Sequence, residues 1–420
     1  MRPLHWSKLP QALIADSVWA SVDVSSASID TSETEALFAV PQPKPKLQKA
    51  ATAAGRLPGG RVALPGMAEV KEEEAPKGGG GRRPSAPSAM PDLRVISIPR
   101  ATNVGIFLRK VGKLLTVDQL CGAVLGLQDK VLEPELLEAV IANLPAEPEA
   151  KALRALKNVE PSTLAPPERF CYEMARLPRL RPMLHALKQR HLLPQSLERA
   201  TKSLATVAEA ASQLMASGAL KRILASLLAH GNFLNAGTPR AGAKGIKLEG
   251  LDKARSVKSV DGKLTLLEHA CSKAGLMRAA VIAELGSVRP ACKVPLLDVI
   301  RIIQELEEGV DAVGEEIALC PLQDLDAEVA ADATGGGPKG GDEHVAAVRF
   351  RAAMAPFHAE MRTGLDELTA RRDETRTLLK RLAGWLGEDP NQANPDAILK
   401  VCADLVDTAT ACAAVPAEDD

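Results

Sequence analysis

Residues 231–267 read GNFLNAGTPRAGAKGIKLEGLDKARSVKSVDGKLTLL, a run that sets a helix end, a glycine-rich turn and a cationic loop in fixed order. Upstream of it, Leu204, Val207, Ala211 and Leu214, then Leu220, Ile223, Leu224, Leu227 and Leu228, keep a three-to-four spacing that predicts amphipathic helix up to Gly231. Gly231, Gly237, Gly242 and Gly245 are read as ending that helix and permitting tight turns, with Asn232 and Asn235 capping exposed backbone groups. A phosphate cradle fits poorly, because no G-x-x-x-x-G-K-[ST] occurs and the preceding segment is helical rather than a strand. Between Arg240 and Lys263, seven basic residues (Arg240, Lys244, Lys247, Lys253, Arg255, Lys258, Lys263) stand against three acidic ones (Glu249, Asp252, Asp261). Such a loop steers toward an acidic protein surface. The plainer reading is a solvated face.

Helical periodicity extends in both directions from this run. Val104, Phe107, Leu108 and Val111 repeat it upstream, and Leu296, Val299, Ile300, Ile303, Leu306, Val310, Val313 and Ile317 predict a helix from Pro295 to Leu319. The stretch 331–344, ADATGGGPKGGDEH, holds too much glycine for a helix interior and is read as a break. After it, Phe350, Met354, Phe357, Met361, Leu365, Leu368, Leu379 and Leu382 continue at near-heptad spacing, a partly coiled-coil-like helix that Pro356 is expected to kink or restart. No strand pattern of comparable length appears, so the fold class is all-α. Residues 40–92 are rich in proline and glycine, with GGGG at 78–81, and bury too little apolar surface to offset ordering entropy. As a random coil of about 53 residues they span roughly 40 Å, enough to carry the N-terminal segment onto a different subunit.

The 420 residues suffice for a large core or several subdomains, and a formal net charge of −1 gives no overall basic excess of the kind that nucleic acid or an anionic membrane attracts. Seven irregularly spaced cysteines without a C-x-x-C pair read as reduced, cytosolic thiols. The N-terminus has no apolar core of a signal peptide, and no run of eighteen apolar residues follows, so no membrane segment is expected. The histidines show no H-E-x-x-H spacing, and no G-x-S-x-G appears; neither a metal nor a cofactor nor a catalytic site is expected. An enzyme using the glycine-rich loop for a nucleotide is the weakest of the readings.

The order Gly231, Asn232, Asn235, Gly237, Arg240, Ala243, Gly245, Lys247, Leu248, Leu251, Lys253, Lys258, Ser259, Asp261, Lys263, Thr265, Leu266, Leu267 resembles the signature of the formin homology 2 domain, the actin-assembling module of formins. Three further stretches resemble the same family in the same order: residues 1–8 (MRPLHWSK) with Val18 and Trp19; Arg100, Asn103, Ile106 and Leu108; and Gly387-Glu388-Asp389-Pro390 after Trp385. The resemblance implies an elongated multi-helical fold forming a ring-like head-to-tail homodimer. Its parts would be a lasso (1–39), a linker (40–92), a knob (93–190) and a coiled-coil and post region (191–420). It implies nucleation of actin filaments and processive attachment at the barbed end, in the cytoplasm and on the cytoskeleton. The alternative is a formin-like helical scaffold or weak barbed-end capper without nucleating activity. The prolines of the linker form no consecutive run, so profilin is expected only indirectly; the chain is then a fragment, or elongates filaments without profilin delivery.

Each candidate residue has a plain reading beside this one. Trp6 and Trp19 lie on a poorly periodic segment, and each ring can bury about 150–250 Å², either on its own domain or, as the resemblance implies, on the post of a partner. Gly231, Asn232, Asn235 and Gly237 belong to that receiving surface. By periodicity Ile106 is a core residue; the resemblance places it, with Asn103, against actin. Arg240, Lys247, Lys253, Lys258 and Lys263 form the cationic actin-facing set, with Lys258 and Lys263 favoured. Ile246, Arg255 and Glu268 depart from the family, which usually has phenylalanine, an apolar residue and histidine there.

Overall fold

The computed structural model describes residues 2–40, 96–156, 159–320 and 342–414. The stretch expected to be a linker, 40–92, lies outside the described residues except for Val40. The N-terminal segment carries α1 (Gln11–Ile14) and α2 (Thr31–Phe38), with 3-10 turns at Val18–Ser21 and Val24–Ser26. Asp30 starts α2 by accepting the Glu33 N–H at 2.9 Å.

After α3 (Ile98–Val111), α4 (Val117–Leu125), α5 (Pro134–Asn143), α6 (Glu147–Arg154) and α7 (Pro166–Ala175), the chain enters α8 (Leu180–Ala216), which is 37 residues long. Proline falls in the first turn of α3, α5, α6 and α7, where the lost donor has no helical partner to lose. Then come α9 (Gly218–Leu234), α10 (Glu249–Ser256), α11 (Leu266–Lys273), α12 (Arg278–Leu285), α13 (Val288–Cys292), α14 (Leu296–Ala318), α15 (Asp342–Trp385) and α16 (Pro395–Cys412). No strand occurs among the described residues; isolated bridges join Lys8 to Ile246, Lys258 to Thr265 and Met277 to Ala414.

Apolar side chains gather in two cores. The first joins Val104, Phe107, Leu108 and Val111 of α3 to α4, α5 and α7, the first half of α8, Val299–Ile317 of α14 and Phe350–Leu368 of α15. The second joins Val207–Leu214 of α8 to α9–α13, Leu379–Ala383 of α15 and α16, and takes in Leu4, Trp6, Leu9, Val18, Trp19 and Phe38. Helices α8 and α15 therefore belong to both cores, and the boundary expected at 190 falls inside α8.

One expectation is corrected and another is narrowed. Asp342 to His344, read as part of the glycine-rich break, already belong to α15; residues 331–341 lie outside the described residues. Pro356 does not restart the helix, because α15 runs through it. A proline leaves the carbonyl four residues back, here that of Ala352, without its helical donor; Arg190 of α8 donates to the neighbouring Ala353 carbonyl at 3.3 Å, and Met354, Phe357 and Met361 anchor the same stretch in the first core.

Candidate functional site

The N-terminal segment is seated on the second core by fitted contacts. Gly231 does not end a helix, as its sequence context suggested: it lies inside α9, and a Cβ there would come within 2.2 Å of the Trp6 ring. A bare backbone at that turn is what lets the indole approach the helix so closely. The helix instead ends at Leu234, and Gly237 then takes a left-handed φ of +77° that favours glycine. Trp6 is buried and donates its Nε1–H to the Arg240 carbonyl at 3.1 Å. Trp19 covers Gly245 in the same manner, 2.6 Å from where a Cβ would stand.

Backbone pairing holds the segment between these rings. Asn235 is fully buried; its Oδ1 accepts the Leu4 N–H and its Nδ2 donates to the Leu4 carbonyl, both at 2.9 Å. Asn232 does the same for Ala243, its Oδ1 accepting at 2.8 Å and its Nδ2 donating at 2.9 Å, fixing the loop that carries the Trp6 acceptor. The two asparagines thus satisfy backbone groups, but those of the incoming segment and of the loop. Leu9 N donates to the Gly245 carbonyl at 2.9 Å and Lys247 N to the Ser7 carbonyl at 3.1 Å. The Leu9 side chain meets Gly387, whose φ is +83°, and the next residue, Glu388, accepts the Leu248 N–H at 2.9 Å.

The cationic set lies beside this seat. Lys258 and Lys263 flank a tight loop closed by the Ser259 N–H on the Leu264 carbonyl at 2.8 Å, with Gly262 at φ +76°. Asp261 takes the Ser259 hydroxyl at 2.5 Å and the Lys263 N–H at 3.2 Å, the first of which chiefly holds its carboxyl below the usual range. Arg2 donates to the Lys258 carbonyl at 2.6 Å and Val260 N to the Leu37 carbonyl at 2.7 Å, so the loop and the N-terminal segment order each other. Arg240, Lys247, Lys253, Lys258 and Lys263 are exposed, and none is ion-paired with another described residue. Arg255 differs: Asp404 neutralises it at 2.5 Å.

On α3 the periodicity reading of Ile106 as core is not met: its side chain is 59% exposed, while Val104, Phe107 and Leu108 carry the buried face. Asn103 is also exposed, and Ile98 and Leu114 add apolar surface near the two ends of the helix. Arg100 has a structural task, donating to the Asn143 and Leu144 carbonyls at 2.7 and 2.8 Å. Ile106 projects from α3, whose buried face is in the first core, whereas the cationic set flanks α10 and α11, whose buried faces are in the second.

Of the departures, Ile246 is buried against the segment, and Glu268 closes a capping box with Thr265 at the start of α11. Burial pushes the Cys121, Cys171 and Cys402 thiols up to about 12, leaving them poor nucleophiles. Among the described residues no cluster of His, Cys, Asp or Glu is placed to hold a metal, and no helix is long and apolar enough to cross a membrane. Sequence reasoning singled out neither Leu9 nor Phe38, and did not assign Gly387 and Glu388 to the seat. The signal was present only as the local motifs MRPLHWSK and GEDP, which say nothing of where each one packs.

Formin Homology 2 Domain is the family whose pattern matches the chain, over residues 1–408. Formin-like protein 20 of Arabidopsis thaliana is 25% identical over 405 residues, covering 93% of this chain and 21% of that protein. Formin-like protein 6 of Oryza sativa subsp. japonica is 28% identical over 399 residues, covering 93% of this chain and 25% of that protein. The chain thus spans a quarter or less of the length of these relatives.

Proposed function

The chain belongs to the formin homology 2 family, and from that membership we propose that it is a non-enzymatic actin assembly factor that nucleates filaments and stays with the barbed end as a dimer. The observation that carries this reading is the seat of the N-terminal segment, the lasso (1–39), on the second core, which we read as the post. Its specific parts are Trp6 on Gly231, Trp19 on Gly245 and Leu4 on Asn235. Here the lasso and post belong to one chain. The same surfaces are open to exchange: a lasso on a long tether fits the post of a second copy by the same contacts, and two reciprocal exchanges close a ring. Each half would then offer actin an apolar contact around Ile106 and Asn103 and a cationic one around Lys258 and Lys263, with Arg240, Lys247 and Lys253 steering the encounter.

The scaffold or weak-capper reading rests on the departures at Ile246, Arg255 and Glu268. Each of the three has a local partner or packing role, which favours the assembly reading. Pyrene-actin polymerisation with the purified chain tests it. Acceleration that rises with protein concentration is expected; its absence from a folded protein refutes nucleation.

A further inference from the structure

Two imidazoles lie under the junction of α2 with α9 and α11. His230 of α9 is 0% exposed and His269 of α11 is 2% exposed. Their ring centroids are 5.0 Å apart with the planes at 85°, and Phe38, the last residue of α2, packs on His269 at 5.7 Å. His230 Nδ1 lies 2.7 Å from the Ser226 carbonyl, which can only accept, so Nδ1 carries the proton and Nε2 keeps a bare lone pair. The Nε2 atoms of both rings are buried without a hydrogen-bond partner among the described residues. A proton added to either, while α2 is seated, makes a buried cation with no acceptor to receive it.

The charged groups that face the pair largely offset each other. Glu33 of α2 favours a proton on either ring and Lys273 of α11 opposes it, and the two are paired with each other at 2.5 Å, so neither ring gains a carboxylate of its own. On the other elements packed against α9 and α11, the charges turn elsewhere. Asp23, ahead of the turn Val24–Ser26, accepts from Ser25 at 2.9 Å. Glu284 of α12 caps α9 at its far end through the Ala219 N–H at 2.8 Å. Arg255 of α10 and Asp404 of α16 hold each other, and Glu268 of α11 is taken up by Thr265.

We propose that the His230–His269 pair is an acid-sensitive latch for the N-terminal segment: α2 seats over two neutral rings and is released when either is protonated. Burial lowers the proton affinity of both rings in the seated state, and for His269 the neighbouring His230 adds to this. Released, the rings take up protons near pH 6.5, so seating is complete above that value and weakens as pH falls below it. The loss is up to about tenfold per pH unit for each ring, and stops where the seated rings themselves titrate. The consequence for actin, that mild acid opens the ring, rests on the dimer reading above; the latch itself concerns seating on whichever copy's post is occupied.

Amide exchange of the full chain between pH 7.5 and 5.5, corrected for intrinsic rates, tests the latch, with Trp6 and Trp19 emission as a second readout. Exchange in α2 is expected to rise relative to α14, by up to about tenfold per ring, with a red shift of emission. The double variant His230→Leu/His269→Phe should be flat over the same range. If that variant loses helicity at pH 7.5, His269→Phe alone keeps an aromatic ring against Phe38 and should halve the logarithmic slope. Exchange in wild-type α2 that does not change with pH, or an unchanged dependence in a folded variant, overturns the latch. Failure of actin assembly leaves this readout untouched.

Discussion

Gly231 admits the Trp6 ring only because it has no side chain. In Gly231→Ala the new methyl meets the indole at far less than contact distance, and overpacking of this kind costs about 1–3 kcal/mol. Seating of the lasso should fall by roughly one to two orders of magnitude, read as a red shift in tryptophan emission at pH 7.5. Gly237→Ala has open space around it and pays only for its left-handed backbone, about 1–2 kcal/mol, and should leave the Trp6 environment unchanged. Lys258→Glu/Lys263→Glu reverses two exposed, unpaired charges, so actin assembly should slow about tenfold or more in the pyrene assay while the melting temperature stays within a few degrees. The glycines and asparagines of residues 231–245 were legible in the sequence as a functional cluster. Their roles were not, because Leu4 and Asn235 meet across 231 positions of chain and nothing local encodes that meeting.

At the scale of elements, the joint between α8 and α9 shows how a short polar network fixes a one-residue break, with Ser217 extended between the two helices. Ser217 Oγ accepts the Leu220 N–H at 3.0 Å and donates to Glu284 at 2.7 Å, and Glu284 also accepts the Ala219 N–H. Ser217→Ala should cost about 1 kcal/mol in chemical denaturation. The Ala219 N–H, then the Ser217 hydroxyl, hold the Glu284 carboxyl below its ordinary value. Its stabilising effect is therefore complete above that ordinary value and lost as pH falls through the lowered one. Glu284→Gln should reduce the difference in unfolding free energy between pH 7 and pH 3 relative to wild type. Long periodic helices were readable: the stripe expected from Pro295 to Leu319 is α14, Leu296–Ala318. Short helices such as α10, α12 and α13 complete too few turns for periodicity to declare them, and of the two outcomes expected at Pro356 the new start does not occur, since α15 runs through it.

For the whole molecule, the lasso and post surfaces complement each other without regard to which copy supplies them. Trp6→Ala/Trp19→Ala should lower the sedimentation coefficient to that of a single chain if the lasso joins two copies; equal sedimentation of wild type and variant refutes the dimer. The all-α class was legible from periodicity, whereas the sharing of helices between two cores was not, since a continuous apolar stripe does not reveal where its partners change. That sharing has a thermodynamic consequence. Helix α8 runs unbroken for 37 residues, about 55 Å, with Leu180–Leu204 in one core and Val207–Leu214 in the other. Melting either core strips packing from a rod that the other needs, so the two halves should give a single calorimetric peak in place of two.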